Sequence, residues 1–424
     1  MFKTLRNAWR IPDLRKKIMF TLLILLLYRI GNVIPVPFVD TAAWKSAFEG
    51  FEDTILGLYN VMSGSGLSQA TVLALGIQPY INSSIIVQLL TVAIPALERL
   101  AKDGGEEGKK KIEKITRLTT VALGLLMGWA YYVMLRNQGT SIISESGFVP
   151  AMVIILTFTA GSTVVMWLGE QITSHGIGNG ISMILFANII AGLRSTVTNL
   201  IGNPTFTWWM ALIIAVGLGA LTVFIIFVND AERRIPIQYA KRVVGRKIYG
   251  GQSSNLPIKV SMSGVMPVIF AQSICSLPAT IATFCRMDEN NWWYRNVFAS
   301  TSVIYIVIYF IMIFFFGWFY ASIQYDPVEI SNNLKKNGGF IPGFRPGKPT
   351  ADFIKKVINK IIVFGSVYLA VVALLPLVAA AVIKGFEYLA IGGTSIIIVV
   401  GVALETVKAL EAQMLMRHYK GFLD

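Results

Sequence analysis

Residues able to make or break bonds are few in this chain, and their spacing fits no catalytic arrangement. The stretch "DGGEEGKK" (103–110) comes near the phosphate-binding loop. It fails because Asp103 stands five positions before Gly108 and no Ser or Thr follows Lys109. "GIGNG" (176–180) lacks the spacing and strand context of a dinucleotide fingerprint. The two histidines, His175 and His418, are too few for a histidine metal site, and no Asp/Glu cluster offers one. Cys275 and Cys285 would stand about 15 Å apart along a helix, too far for a disulfide. No catalytic residue, metal or cofactor is expected, and the chain does not read as an enzyme.

Polar residues inside apolar stretches are more informative. Ser84, Gln88 and Thr91 follow i, i+4, i+7 spacing, with Ile81 and Ile85 beside them, so a helix there carries a mixed stripe. Such polar side chains face protein or water rather than lipid. The stripe would serve interhelical hydrogen bonding or a wet passage that apolar side chains close by dewetting. A solute-coupled transporter normally carries an ionisable group at mid-membrane. Here Glu170 falls near a helix end, Glu405 and Lys408 fall in the last turns of a span, and Arg29 alone lies well inside. The simplest reading of Arg29 is snorkelling toward the outer surface.

These residues must be positioned by membrane helices. Of 424 residues, 54% are hydrophobic and only 14% are charged, with a mean hydropathy of +0.63. Soluble domains carry about a quarter charged residues, so an all-α polytopic membrane protein is expected. Ten apolar runs of spanning length fall near 18–37, 76–94, 116–135, 150–172, 179–200, 208–228, 265–284, 301–323, 361–383 and 389–409. The apolar start is read as a first span and not a signal peptide, because "GNVIPVPFVD" offers no cleavage site. Thirty of the 37 Lys and Arg residues lie on one side of this topology, with seven in each of three connecting segments. That puts both termini in the cytoplasm. The net charge of +14 therefore belongs to one face, suited to anionic partners.

Three segments do not fit the simple alternation of span and short turn. Residues 60–76, "NVMSGSGLSQATVLALG", are too short and polar to span, yet lie between two spanning runs. Residues 229–264 show period-two alternation on both sides of "YGGQSSN", which predicts paired strands. Residues 324–360 predict a short polar helix, the stiff tip "GFIPGFRPGKPT", and a further helix with Thr350 as its N-cap. Rigid basic loops of this kind suit docking.

Several long stretches resemble the SecY family, the central subunit of the bacterial protein-conducting channel. They are "GLYNVMSGSGLSQATVLALGIQPYINSSIIVQLL", "WLGEQITSHGIGNGISMILFANIIAGL", "RRIPIQYAKRVVGRKIYGGQSSNLPIKVSMSGVMPVIFAQSI", "NLKKNGGFIPGFRPGKPT" and "GGTSIIIVV". The resemblance runs from the basic N-terminus to the tenth span. It implies two pseudo-symmetric halves of five helices, 1–200 and 201–424, in a plasma membrane. It also implies a pore that opens across the membrane for unfolded secretory chains and sideways toward lipid for apolar segments.

Implied partners are the small SecE and SecG subunits, the SecA motor, the ribosome and client chains. Residues 58–72 resemble the plug, a short helix folded into the pore from outside, with Ser63, Gly64, Ser65, Gly66, Leu67 and Ser68 at its centre. The family's pore ring maps to Ile81, Ile85, Ile181, Leu185, Ile269 and Ile398. Leu185 stands where isoleucine is common in the family. Gln88 maps to the lateral gate, and Arg246, Lys247 and Arg345 map to the motor and ribosome docking loops. A secondary transporter of small solutes is the alternative, and a membrane scaffold without a conduit is a third reading.

Overall fold

The computed structural model describes residues 2–420 apart from 50–54, 103, 138–141, 145–146, 203–207, 240–241, 245–246, 250–252, 262–263, 285–296, 298–301 and 383–386. Helix α1 (Phe2–Arg10) leads into α2 (Pro12–Gly31), which opens on a proline at its first position with Asp13 in the first turn. Both features favour a helix start. Helix α3 (Thr41–Phe48) is capped by Asp40, whose carboxylate accepts from the amides of Ala42 and Ala43 at 2.9 and 3.2 Å. Short helix α4 (Ile55–Ser63) follows. After it, turns carry the chain to α5 (Gln78–Ala93).

Helix α6 (Pro95–Lys102) turns off the axis of α5 by 106°. The cause is local, because Pro95 drives Ile94 out of helical geometry to φ −108°, ψ 112°. Helices α7 (Gly105–Asn137), α8 (Phe148–His175), α9 (Gly180–Gly202) and α10 (Trp208–Asp230) follow in close succession. At about 1.5 Å per residue, the 33 residues of α7 exceed the roughly 30 Å hydrocarbon thickness. Its first turns hold Lys109, Lys110 and Lys111.

Strands β1 (Glu232–Tyr239), β2 (Arg242–Val244), β3 (Lys247–Tyr249) and β4 (Ser253–Lys259) come next, then α11 (Met266–Phe284), α12 (Val303–Gln324) and α13 (Pro327–Lys336). Strand β5 (Gly339–Phe340), α14 (Lys348–Val382) and α15 (Glu387–Lys420) complete the described chain. Each of the ten expected spans falls on one of these helices, namely α2, α5, α7 to α12, α14 and α15. Among the described residues, α7, α8, α10, α14 and the stretch starting with α12 are each long and apolar enough to cross a membrane. Helices α5 and α6 pass the same test as one bent span.

The chain packs as two units. The first comprises Met1–Thr207, Ser273–Tyr305 and Pro376–Asp424. Within it α7 packs on α5 and α8, and α9 on α8, α4 and α15. One core gathers Trp44, Phe48, Leu67, Tyr131, Leu135, Ile154 and Phe158 around α3 and the turns after α4. A smaller core, Ala8, Leu14, Ile177 and Leu410, seats α1 on α15, where Thr4 donates to Glu411 at 3.0 Å.

The second unit comprises Trp208–Gln272 and Ile306–Leu375. The expected strand pair is present there, antiparallel, with Ile235 opposite Leu256 and Ile237 opposite Ser254. The sequence did not reveal the third strand. β5 pairs with the other edge of β1, giving the order β4-β1-β5. Ile235, Ile237 and Ile258 pack from this sheet against Leu334 of α13 and Ile354, Ile358 and Ile362 of α14. The helix expected in "SNNLKKNGG" is α13, and it starts earlier, at an N-cap Asp326 that accepts from Val328 at 2.8 Å and Glu329 at 3.3 Å. Thr350 is not the cap of α14. The helix has begun by Lys348, and the Thr350 hydroxyl donates back to the Arg345 carbonyl at 2.7 Å.

Candidate functional site

Residues 55–77 form a self-contained knot. Only Ile55–Ser63 is helical, and the remainder is successive turns. Several of its polar side chains bond within it, while the Thr71 hydroxyl reaches Asn32 Oδ1 at 3.1 Å. The Asn60 side chain accepts from the Ser68 amide at 2.9 Å, Ser63 donates to the Asn60 carbonyl at 3.0 Å, and Ser68 donates to the Ser65 carbonyl at 3.1 Å. Ser63, Gly64, Gly66 and Leu67 are buried, and Ser65 and Ser68 are half-buried.

What surrounds the knot addresses its main chain. Arg29 Nη1 donates to the Gly64 carbonyl at 3.0 Å, so Arg29 is not a snorkelling side chain. A cation inside an apolar helix found a nearer acceptor than the outer surface. Asn32 Nδ2 donates to the Ser63 and Gly64 carbonyls at 2.9 and 3.1 Å, and the Tyr28 hydroxyl donates to Ser63 at 3.3 Å. From α9, the fully buried Asn188 donates to the Met62 carbonyl and to the Tyr28 hydroxyl, both at 2.8 Å. Trp44 Nε1 (2.9 Å) and the Tyr131 hydroxyl both donate to the Leu67 carbonyl.

Gly64 has φ +68°, and a Cβ there would fall 2.6 Å from Arg29 Nη1 and 2.8 Å from Asn188 Oδ1. Only glycine combines that conformation with that approach. Sequence reading missed Tyr28, Asn32, Trp44, Tyr131 and Asn188. The signals available were "YRIGN" closing an apolar span and an asparagine, Asn188, in the middle of another.

Of the six ring positions, Ile81 and Ile85 are buried one turn apart on α5, and Leu185 and Ile398 are buried on α9 and α15. Ile181, one turn before Leu185, is half-buried. Its Cγ1 lies 3.4 Å from where a Cβ on Gly169 would stand. These five belong to the first unit, and α9 packs on α15 there. Ile269 is buried on α11 in the second unit.

The polar stripe of α5 is exposed at Gln88 and half-buried at Ser84 and Thr91, with Thr91 donating to the Gln88 carbonyl at 2.6 Å. Its off-stripe neighbour Ser83 is buried and ties α5 to α7 through the Thr116 carbonyl at 2.7 Å. Glu170 does not act alone, because Arg117 Nε meets it at 2.8 Å between α7 and α8.

Of the docking candidates, Arg246 lies outside the described residues and Lys247 begins β3, paired with Val244. Arg345 is exposed at the head of α14, between Gly343 at φ +88° and Gly347 at φ +105°. The loop below it is braced by Phe344 packing on Phe353, ring centroids 4.2 Å apart, by the turn from Phe344 to Ile341, and by the Thr350 hydroxyl.

Known proteins resemble this chain in sequence and fold. The family model SecY matches residues 71–407. The protein translocase subunit SecY of Streptomyces scabiei is 43% identical over 438 residues, covering 100% of both chains. That of Thermotoga maritima is 41% identical over 432 residues, covering 100% of this chain and 98% of its own. Among solved structures, one described as "The structure of a protein conducting channel" superposes with a TM-score of 0.66 at 19% identity, covering 94% of this chain and 92% of its own. A second, described as showing that the SecY plug domain stabilises the closed state of the translocation channel, gives a TM-score of 0.64 at 17% identity with the same coverage. Sec61 in a canine ribosome-channel complex gives 0.60 at 17%, again with the same coverage. At those identities the structures speak for the fold. Full-length identity above 40%, together with the family match across most of the chain, places this protein in the SecY family.

Proposed function

We propose that this chain is the channel-forming subunit of a protein translocase, passing unfolded secretory chains across the plasma membrane and releasing transmembrane segments sideways into lipid. The observation that carries the reading is the knot at 55–77. It is a polar, non-spanning segment buried in a membrane protein and held by donors from α2, α3, α7 and α9. A transporter of small solutes has no use for a removable stopper of this size, and a scaffold has no use for one at all.

On this reading residues 58–72 are the plug, and Ile81, Ile85, Ile181, Leu185, Ile269 and Ile398 form the constriction that seals by excluding water. Gln88 faces the lateral gate between the halves 1–200 and 201–424. The partners proposed are SecE and SecG, the SecA motor and the ribosome. The last is supported by the ribosome named with two structures of similar fold, the canine complex and yeast Ssh1. Both termini lie in the cytoplasm with the basic loops.

The test is import of an unfolded secretory precursor into vesicles holding the purified chain with a SecE-type subunit. SecA and ATP should bring the precursor into a protease-protected state. Protection no greater than in vesicles lacking the chain would overturn the proposal.

A further inference from the structure

The donors around residues 62–67 reach almost only main-chain carbonyls, and two of the four, those of Met62 and Ser63, close a helix. Met62 and Ser63 are the last two residues of α4, and Gly64 follows them. The final four carbonyls of a helix have no partner within it, and they form the negative end of its dipole. Here Asn60 and Val61 are met by the amides of Ser65 and Gly64 at 2.8 and 3.1 Å, whereas Asn188 meets Met62 and Tyr28 and Asn32 meet Ser63; Arg29 and Asn32 meet Gly64, one residue beyond the helix.

The helix C-terminus is therefore closed in part by its own following turn and in part by α2 and α9. Asn60 and Ser63 of the helix, and Ser68 of the turns after it, bond within the segment. Arg29 places a full positive charge at the negative end, where a cation is favoured. All these residues lie in one packing unit.

We propose that the α4 C-terminus is the element by which the plug is held shut, and that Arg29 and Asn188 are the positioning residues that set how often it leaves. This rests on the plug reading above. The physical logic is an exchange. In place, the carbonyls are satisfied by a cation and amides from α2 and α9. Displaced, they need water, which the segment meets only outside its cradle. The clasp reads backbone, so plug side chains can vary while the donors and Gly64 cannot. Arg29 is the strongest single donor, because hydrogen bonds from charged groups exceed neutral ones.

The experiment is resting ion conductance of the complete channel complex in planar bilayers. Arg29→Leu is expected to raise open probability about 10-fold or more, and Asn188→Leu about 2- to 10-fold, as loss of a charged and a neutral hydrogen bond implies. Arg29→Lys keeps a cationic donor and is expected within about threefold of wild type, a rescue that a merely structural role would not give. Trp44→Phe keeps an aromatic ring against Phe48 and Tyr131 and removes the donor to Leu67, outside the spans, so it reports even if a span variant assembles poorly. It too is expected to rise about 2- to 10-fold.

Deletion of Ser63–Ala70 separates the two ideas. If the deletion raises conductance while Arg29→Leu, Asn188→Leu and Trp44→Phe stay at wild type, the clasp is overturned and the plug stands. If the deletion itself changes nothing, the plug reading fails and takes the clasp with it.

Discussion

Gln238 of β1 and Phe340 of β5 are paired across an antiparallel register, although β2 to β4 and α11 to α13 lie between them in the chain. The two basic segments that read as separate loops are therefore one small sheet-and-helix body, with Ile235, Ile237 and Ile258 facing α13 and α14. Arg345 stands five residues beyond that pairing, so its guanidinium is carried on a braced platform.

The platform predicts a local stability effect. Ile258→Ala removes most of a side chain that is 4% exposed and should cost the sheet about 2–5 kcal/mol. The loss should fall first on the sheet, whose contact with the early turns of α14 runs through Ile354, Ile358 and Ile362. Amide hydrogen exchange should accelerate across 232–239 and 339–340, with assembly in the membrane intact. Exchange at the wild-type rate would show that the two loops do not stabilise each other.

Arg345 should act on docking alone. Arg345→Glu is expected to leave expression, SecE association and resting conductance normal while nearly stopping SecA-driven import. Loss of one charge-assisted contact is worth about 1.5–3 kcal/mol, roughly a 10- to 150-fold loss of productive docking. Arg345→Lys discriminates geometry from charge, since only a guanidinium makes a bidentate contact with carboxylate or phosphate. Import by the glutamate variant at wild-type rates would remove this loop from the motor interface.

The ring predicts a leak. Ile85→Asn or Ile398→Asn puts an amide where a buried isoleucine stood and should wet the constriction. Resting conductance should rise and weak signal sequences should be tolerated better. If both variants conduct like wild type in planar bilayers, these positions do not line the seal.

Deleting Ser63–Ala70 should leave a folded, inserted protein. The deletion removes the acceptors of Arg29, Asn32, Trp44 and Tyr131 but none of the spans. Flickering currents with secretion largely intact are expected. Loss of insertion would instead make the segment a structural element.

Much of this was legible in the sequence because it depends on local composition. Ten apolar runs became ten helices, since the bilayer leaves a spanning chain little choice but to satisfy its backbone within a helix. The β1–β4 pair was legible from period-two alternation. The extent of α5 was too, because Pro95 ends it wherever the rest of the chain lies. Long motifs carried the family resemblance.

Tertiary structure decided what depends on which chemically similar partners meet. Arg29 looked like a snorkelling cation because nothing in sequence shows that the Gly64 carbonyl lies 3.0 Å from its guanidinium. Thr350 looked like a helix cap, and its hydroxyl instead holds the Arg345 turn. β5 is two residues long and carries no periodicity to read, so only the folded chain shows that it joins β1. The glycines and serines of 58–72 announced a segment that does not span. The hydrogen bonds to its carbonyls could not be read, because every residue presents the same carbonyl and only the fold selects which ones are held.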